Sequence, residues 1–103
     1  MRQYTKSHEW IDSQGEVATV GITEQALKEI GEVVYIELPK VGRQVTVGQE
    51  VVVLESTKAA IDICSPVEGK IIKVNSAIRD NIQLINQSPE KEGWLYQVEL
   101  STK

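Results

Sequence analysis

Apolar residues recur along much of the chain with a period of two, the spacing that puts side chains on one face of a strand. Trp94, Tyr96, Val98 and Leu100 alternate with Leu95, Gln97 and Glu99, which predicts a half-buried strand over 94–100. The run VVYIEL at 33–38 predicts another, ended by Pro39, which has no N–H to give to a ladder. VVVLES at 51–56 opens as a continuous apolar run, as suits a strand covered on both faces. Ile61 and Ile63 alternate with Asp62 and Cys64 until Pro66 interrupts, and GKIIKVN at 69–75 resumes with β-branched residues. One segment has helical spacing instead. EQALKEI carries Leu27 and Ile30 three apart, behind Thr23 as N-cap and ahead of Gly31, which can take the left-handed position after the last turn. Everything else reads as strand or turn, with turns at Ser13-Gln14-Gly15, Lys40-Val41-Gly42, Gly48, Ser65-Pro66, Glu68-Gly69 and Ser88-Pro89. Short, closely spaced strands with one short helix predict a small all-β sandwich or barrel.

A chain of 103 residues predicts a single domain, 1–103, with a modest core. Its 41% hydrophobic and 25% charged residues are those of an ordinary soluble protein, and no apolar run approaches the roughly 20 residues that span a bilayer, so a membrane protein is not expected. Fifteen acids against eleven bases leave a net charge of −4 with no basic stripe, which gives nucleic acid binding no electrostatic support and points to protein partners. The single cysteine, Cys64, cannot form an internal disulfide, and no Cys/His spacing suits zinc; a reducing compartment fits. MRQYTKSHEW has neither the apolar core of a secretory signal nor the character of a transit peptide. The expected location is the bacterial cytoplasm or, for a processed chain, the mitochondrial matrix.

The stretch ESTKAAIDI puts one cation between apolar segments. If VVVLES and AIDIC pair around Thr57-Lys58-Ala59, Lys58 projects from a hairpin tip, where an enzyme can reach it. By local pattern alone it reads as a turn lysine that discourages strand-to-strand aggregation. Its four-carbon stem and its amine, nucleophilic when deprotonated, also suit an attachment point. Other reactive residue types lack companions. His8 is the only histidine and reads as packing or hydrogen bonding; Cys64 reads as a small packing residue. Trp10 and Trp94 read as core anchors in a chain with no Phe and three Tyr.

Four blocks occur in order: YTKSHEW (4–10), VATVGITEQALKEIGEVVYIELPKVG (17–42), VVVLESTKAAIDICSPVEGKIIKVN (51–75) and GWLYQVEL (93–100). Together they resemble the glycine cleavage H-protein family, a branch of the lipoyl-bearing domains. Biotinyl domains usually place methionines on both sides of the lysine, where this chain has Thr57 and Ala59. Lipoyl domains of the 2-oxoacid dehydrogenases usually have an acidic residue directly before it and lack the HEW and VGIT blocks.

The resemblance implies a barrel-sandwich hybrid with one short helix and the modified lysine at a hairpin tip. It implies a non-catalytic carrier, with lipoic acid joined by an amide to Lys58. In the family, the arm takes an aminomethyl group from glycine on a pyridoxal-phosphate glycine decarboxylase (P protein). A folate-dependent aminomethyltransferase (T protein) unloads it, a dihydrolipoyl dehydrogenase (L protein) reoxidises the dithiol, and a lipoate-protein ligase or a lipoyl/octanoyl transferase installs the arm. Carried over by position, Ser7 and Glu9 line one wall of a groove for the loaded arm, and Ala59 and Asp62 the other. Glu9 can hold the protonated amine of the cargo or be a solvated acid; Glu55, three residues before the lysine, can be read by the ligase or be a solvated strand-end acid. The alternative role implied is an H-like lipoyl donor or relay for other lipoyl enzymes. The chain departs from the family pattern in three places. It ends at Ser101-Thr102-Lys103 where relatives continue into a helical segment, it has Glu90 where an aromatic is common, and it has Glu29 where some relatives place a histidine.

Overall fold

The computed structural model describes residues 2–101. Two antiparallel sheets enclose the core. The larger contains β1 (Arg2–Tyr4), β2 (Glu9–Gln14), β3 (Val17–Ile22), β5 (Gln44–Val45), β8 (Gly69–Val74) and β9 (Tyr96–Leu100), in the order β1-β2-β3-β9-β8-β5. The smaller contains β4 (Val33–Glu37), β6 (Glu50–Ser56) and β7 (Ala60–Cys64), in the order β4-β6-β7. Val20, Ile71 and Val98 from the first sheet meet Val33, Val52 and Leu54 from the second, all within 1% of complete burial. This is the expected β sandwich.

Helix α1 (Glu24–Ile30) forms where its caps predict it. The Thr23 hydroxyl accepts from Ala26 N–H at 3.1 Å, and Gly31, at φ +85°, donates its N–H to the Leu27 carbonyl at 2.8 Å. Two further single turns, α2 (Ala77–Asp80) and α3 (Gln83–Gln87), occupy a stretch whose pattern reads as turn. They are held by burial rather than by capping, since Ile78 and Ile85 are fully buried and neither helix has a side-chain N-cap bond. The Asn86 side chain then docks α3 on β4, accepting from Val33 N–H at 2.8 Å and donating to Val33 C=O at 3.0 Å.

The last strand is shorter than its alternation suggests. Leu95 is as buried as Tyr96, which breaks the period of two, and β9 begins only at Tyr96. The Asn75 amide explains the break: it donates to the Glu92 and Trp94 carbonyls, both at 2.8 Å, and holds the chain in an irregular path before the ladder resumes. The hairpin of β2 and β3 turns through Gly15 at φ +61° and Glu16, a two-residue loop that needs a left-handed residue at its first position.

Candidate functional site

β6 and β7 pair in register, Leu54 with Ile61 and Glu55 with Ala60, so the hairpin tip is Thr57-Lys58. Ser56 builds that tip. Its N–H donates to the Ala59 carbonyl at 2.8 Å, and its hydroxyl accepts from the N–H groups of Lys58 (3.2 Å) and Ala59 (3.0 Å). The tip is also moored from below, where Thr57 N–H donates to the Glu32 carbonyl at 2.9 Å. Gly31 makes the close approach possible, because a Cβ there would lie 2.8 Å from Thr57 Oγ1 and 3.6 Å from Lys58 Cγ and Cδ. The Lys58 side chain is thus exposed, passes over the C-terminal end of α1, and forms no ion pair among the described residues.

A narrow groove of about 140 Å³ runs beside the hairpin. Ile22, Ala26 and Ile30 give it an apolar wall from the end of β3 and from α1, and Ile61 to Cys64 of β7 form the wall opposite. Ser7 and Glu9 stand at one side and Asp62 at the other, so three of the four groove residues expected from sequence meet here. Ser7 and Asp62 are exposed at the rim; Glu9 is buried, at 7% exposure. Ala59 stays outside the groove as part of the tip, with its N–H on Ser56. Glu55 lies on the exposed face of β6, between Tyr35 and Ala60. A larger hollow, about 690 Å³, lies at the opposite end of β6 from the lysine and shares only Asp62 with the groove.

Glu9 is presented by a tight turn. His8 adopts φ +66°, a conformation uncommon outside glycine, and its N–H donates to the Thr5 carbonyl at 3.1 Å. The Thr5 hydroxyl donates to Glu9 Oε1 at 2.9 Å and accepts from Glu9 N–H at 3.1 Å. Burial pushes the Glu9 carboxyl above its ordinary value, against the lowering effects of that hydrogen bond and of His8. His8 Nε2 lies 3.5 Å from Glu29 Oε1 and, when protonated, ties the turn to α1. Burial also pushes the Cys64 thiol up, helped by the carboxylates of Glu50, Glu9 and Asp62, so the thiol stays protonated. Among the described residues no group of His, Cys, Asp and Glu could hold a metal ion.

Because the folded chain holds the Glu9 proton more tightly than the unfolded chain, it carries more bound protons between the ordinary pKa of 4.5 and the raised one. Stability therefore falls as pH rises through that window. Urea titrations of the wild type and Glu9→Gln between pH 4 and 8 are expected to show the variant gaining relative stability as pH increases, with the difference flat above the window.

Sequence reasoning missed the parts that Thr5 and Ser56 play in positioning the site, and it read Gly31 as a helix cap without the close approach to the tip that Gly31 allows. Cys64, read as a small packing residue, also lines the groove. A lysine at the tip of a short hairpin, on a rigid two-sheet frame with a narrow apolar groove alongside, defines the class of barrel-sandwich β-domains with an exposed tip lysine. Within that class the family is specific: the sequence model described as glycine cleavage H-protein matches residues 2–103, and the chain belongs to that family. The glycine cleavage system H protein of Thermotoga maritima is 50% identical over 101 residues, covering 98% of this chain and 82% of the relative. That of Thermus thermophilus is 48% identical over 97 residues, covering 94% and 76%. The crystal structure of a glycine cleavage system H protein from Mycobacterium marinum matches with a TM-score of 0.91 at 38% identity, covering 98% of this chain and 84% of that one. The family is the lipoyl carrier of the glycine cleavage system. No helix among the described residues is long and apolar enough to cross a membrane.

Proposed function

We propose that this chain is a single lipoyl-carrier domain of the glycine cleavage system, with lipoic acid amide-linked to Lys58 Nζ. The observation that carries the proposal is the placement of Lys58 at the hairpin tip, over the end of α1 whose Ala26 and Ile30 wall the groove. The group fits the residues present: the amine is exposed and has no ion pair among the described residues, and the groove beside it is narrow and apolar with polar groups at its rim. When bound, the lipoyl group supplies a dithiolane that accepts an aminomethyl group and two electrons.

Everything else is the work of side chains. Glu9, little solvated, accepts the hydrogen bonds of a protonated amine more strongly than an exposed carboxylate does. Asp62 and Ser7 add an acceptor at each rim, and Ile22, Ile30 and Ile61 exclude water from a cargo prone to hydrolysis. The partners are the glycine decarboxylase, the aminomethyltransferase, the dihydrolipoyl dehydrogenase and the enzyme that acylates Lys58, which reads Glu55, exposed on β6 three residues before the lysine. The chain carries and does not catalyse.

The test is exchange of labelled carbon dioxide into glycine by a purified glycine decarboxylase, supplied with this chain after treatment with a lipoate ligase and lipoate. Intact mass is expected to rise by one lipoyl increment, and exchange to depend on that increment. A chain left unmodified by a ligase active on another acceptor would overturn the carrier assignment, and a fully modified chain that supports no exchange would overturn the glycine cleavage assignment.

A further inference from the structure

Four consecutive residues of β7, Ile61 to Cys64, line one wall of the groove. Side chains alternate between the two faces of a strand, so a groove touching four in succession runs along the strand's edge rather than over one face. β7 is the outer strand of the three-stranded sheet and pairs only with β6. The hairpin determines which backbone groups face outward. Ser56 and Ala59 form a hydrogen-bonded pair through Ser56 N–H, and such pairs alternate with non-bonded ones along an antiparallel ladder. Ile61, opposite Leu54, and Ile63, opposite Val52, therefore turn their N–H and C=O groups toward β6. Ala60 and Asp62 turn theirs away from β6, Asp62 on the groove wall and Ala60 between that wall and the hairpin tip. Among the described residues nothing bonds to those outward groups.

An open strand edge ordinarily invites another strand. Here α1 and the turn at Thr5–Glu9 stand opposite, and about 140 Å³ admits a thin unbranched chain but not a strand with side chains on both faces. The acylated Lys58 side chain is such a chain, and it starts at the hairpin tip, three residues before the groove wall of β7 begins at Ile61. Its amide is trans, so only one of its two polar groups can face the edge. The outward N–H nearest the lysine is that of Ala60, two residues on and roughly 7 Å along the strand, within reach of a four-carbon stem.

We propose that the Ala60 N–H donates to the carbonyl of the amide on acylated Lys58, seating the arm on the open edge of β7. This rests on the lipoyl-carrier assignment. The arm then leaves the tip already directed along the groove toward Glu9, which lowers the entropy lost when loaded cargo docks.

Hydrogen exchange at single-residue resolution on the full chain, with and without a lipoyl group on Lys58 verified by intact mass, tests the seat. Exchange of the Ala60 amide is expected to slow about tenfold on acylation, the protection of one hydrogen bond, with the β6-facing amides of Ile61 and Ile63 unchanged. In a second measurement Ala60→Pro removes an N–H that the ladder does not use, and the dithiolane of the acylated variant is expected to be reduced by a water-soluble phosphine several-fold faster than that of the wild type. Acylated protein with unchanged Ala60 exchange would overturn the seat and leave the carrier assignment standing. Failure of an active ligase to acylate the chain overturns both.

Discussion

Lys58→Arg will fold as the wild type does and will take up no lipoyl group. The tip is held by Ser56, whose N–H and hydroxyl bond to the backbone of Lys58 and Ala59, and by the Thr57 N–H to Glu32. No hydrogen bond or ion pair of the Lys58 side chain itself supports the fold among the described residues. Arginine keeps the charge and the long aliphatic stem, so the melting temperature is expected to stay within about 2 °C, the range of a surface substitution. The chemistry does not survive. A guanidinium remains protonated at any working pH and offers no free amine pair to attack an activated acyl group. Intact mass after ligase treatment is expected to show complete modification of the wild type and none of the variant, and exchange of labelled carbon dioxide is expected to fall to background. Modification of the variant elsewhere on the chain would sink the assignment of Lys58.

Much of this arrangement is written in short-range pattern. Thr23 and Gly31 bracket a helix that forms between them, and the apolar runs either side of Thr57-Lys58 pair as a hairpin because their periods agree with a strand and two residues close the turn. The second wall of the groove follows from that hairpin, since the pairing leaves β7 as the outer strand, with its edge toward the groove. What stays hidden in sequence depends on contacts between distant segments. Ile78, Ile82 and Ile85 have helical spacing, yet Asp80 and Asn81 interrupt it, and only burial against the β core makes two single turns of them. Asn75 shows the same limit. Its amide overrides the alternation at Leu95 through carbonyls 17 and 19 residues away, and no local pattern announces such a bond.

Glu90 is the clearest case. In the sequence it is only an acid where an aromatic is common. In the fold its carboxylate accepts from the Glu24 N–H at 2.9 Å, satisfying one of the open donors at the start of α1, and from the Tyr4 hydroxyl at 3.2 Å. Arg2 lies 3.7 Å from the same carboxylate and donates to the Glu90 carbonyl at 2.8 Å. One residue thereby ties β1, α1 and the 87–94 loop, the three segments that surround the base of the turn presenting Glu9.

The same junction holds the largest stability effect expected in the molecule. Trp10, next to Glu9, is 1% exposed, its indole N–H donates to the Pro89 carbonyl at 3.0 Å, and Arg2 stacks on its ring with the guanidinium carbon 4.1 Å from the centroid. The ring lies so close to β3 that a Cβ at Gly21 would come within 2.6 Å of it. Trp10→Ala leaves a cavity against glycine, which has no side chain to fill it, and strands the Pro89 carbonyl. Such truncations cost about 3–5 kcal/mol, a large share of the roughly 5–15 kcal/mol that holds a domain of this size together. At roughly 4–8 °C per kcal/mol the melting temperature is expected to drop by about 15 °C or more in a calorimetric scan. Trp10→Phe keeps most of the ring and loses the hydrogen bond, and is expected to fall by only about a third of that. Equal losses in the two variants would show that the indole hydrogen bond, and not the filling of space against Gly21, keeps the Glu9 turn in place.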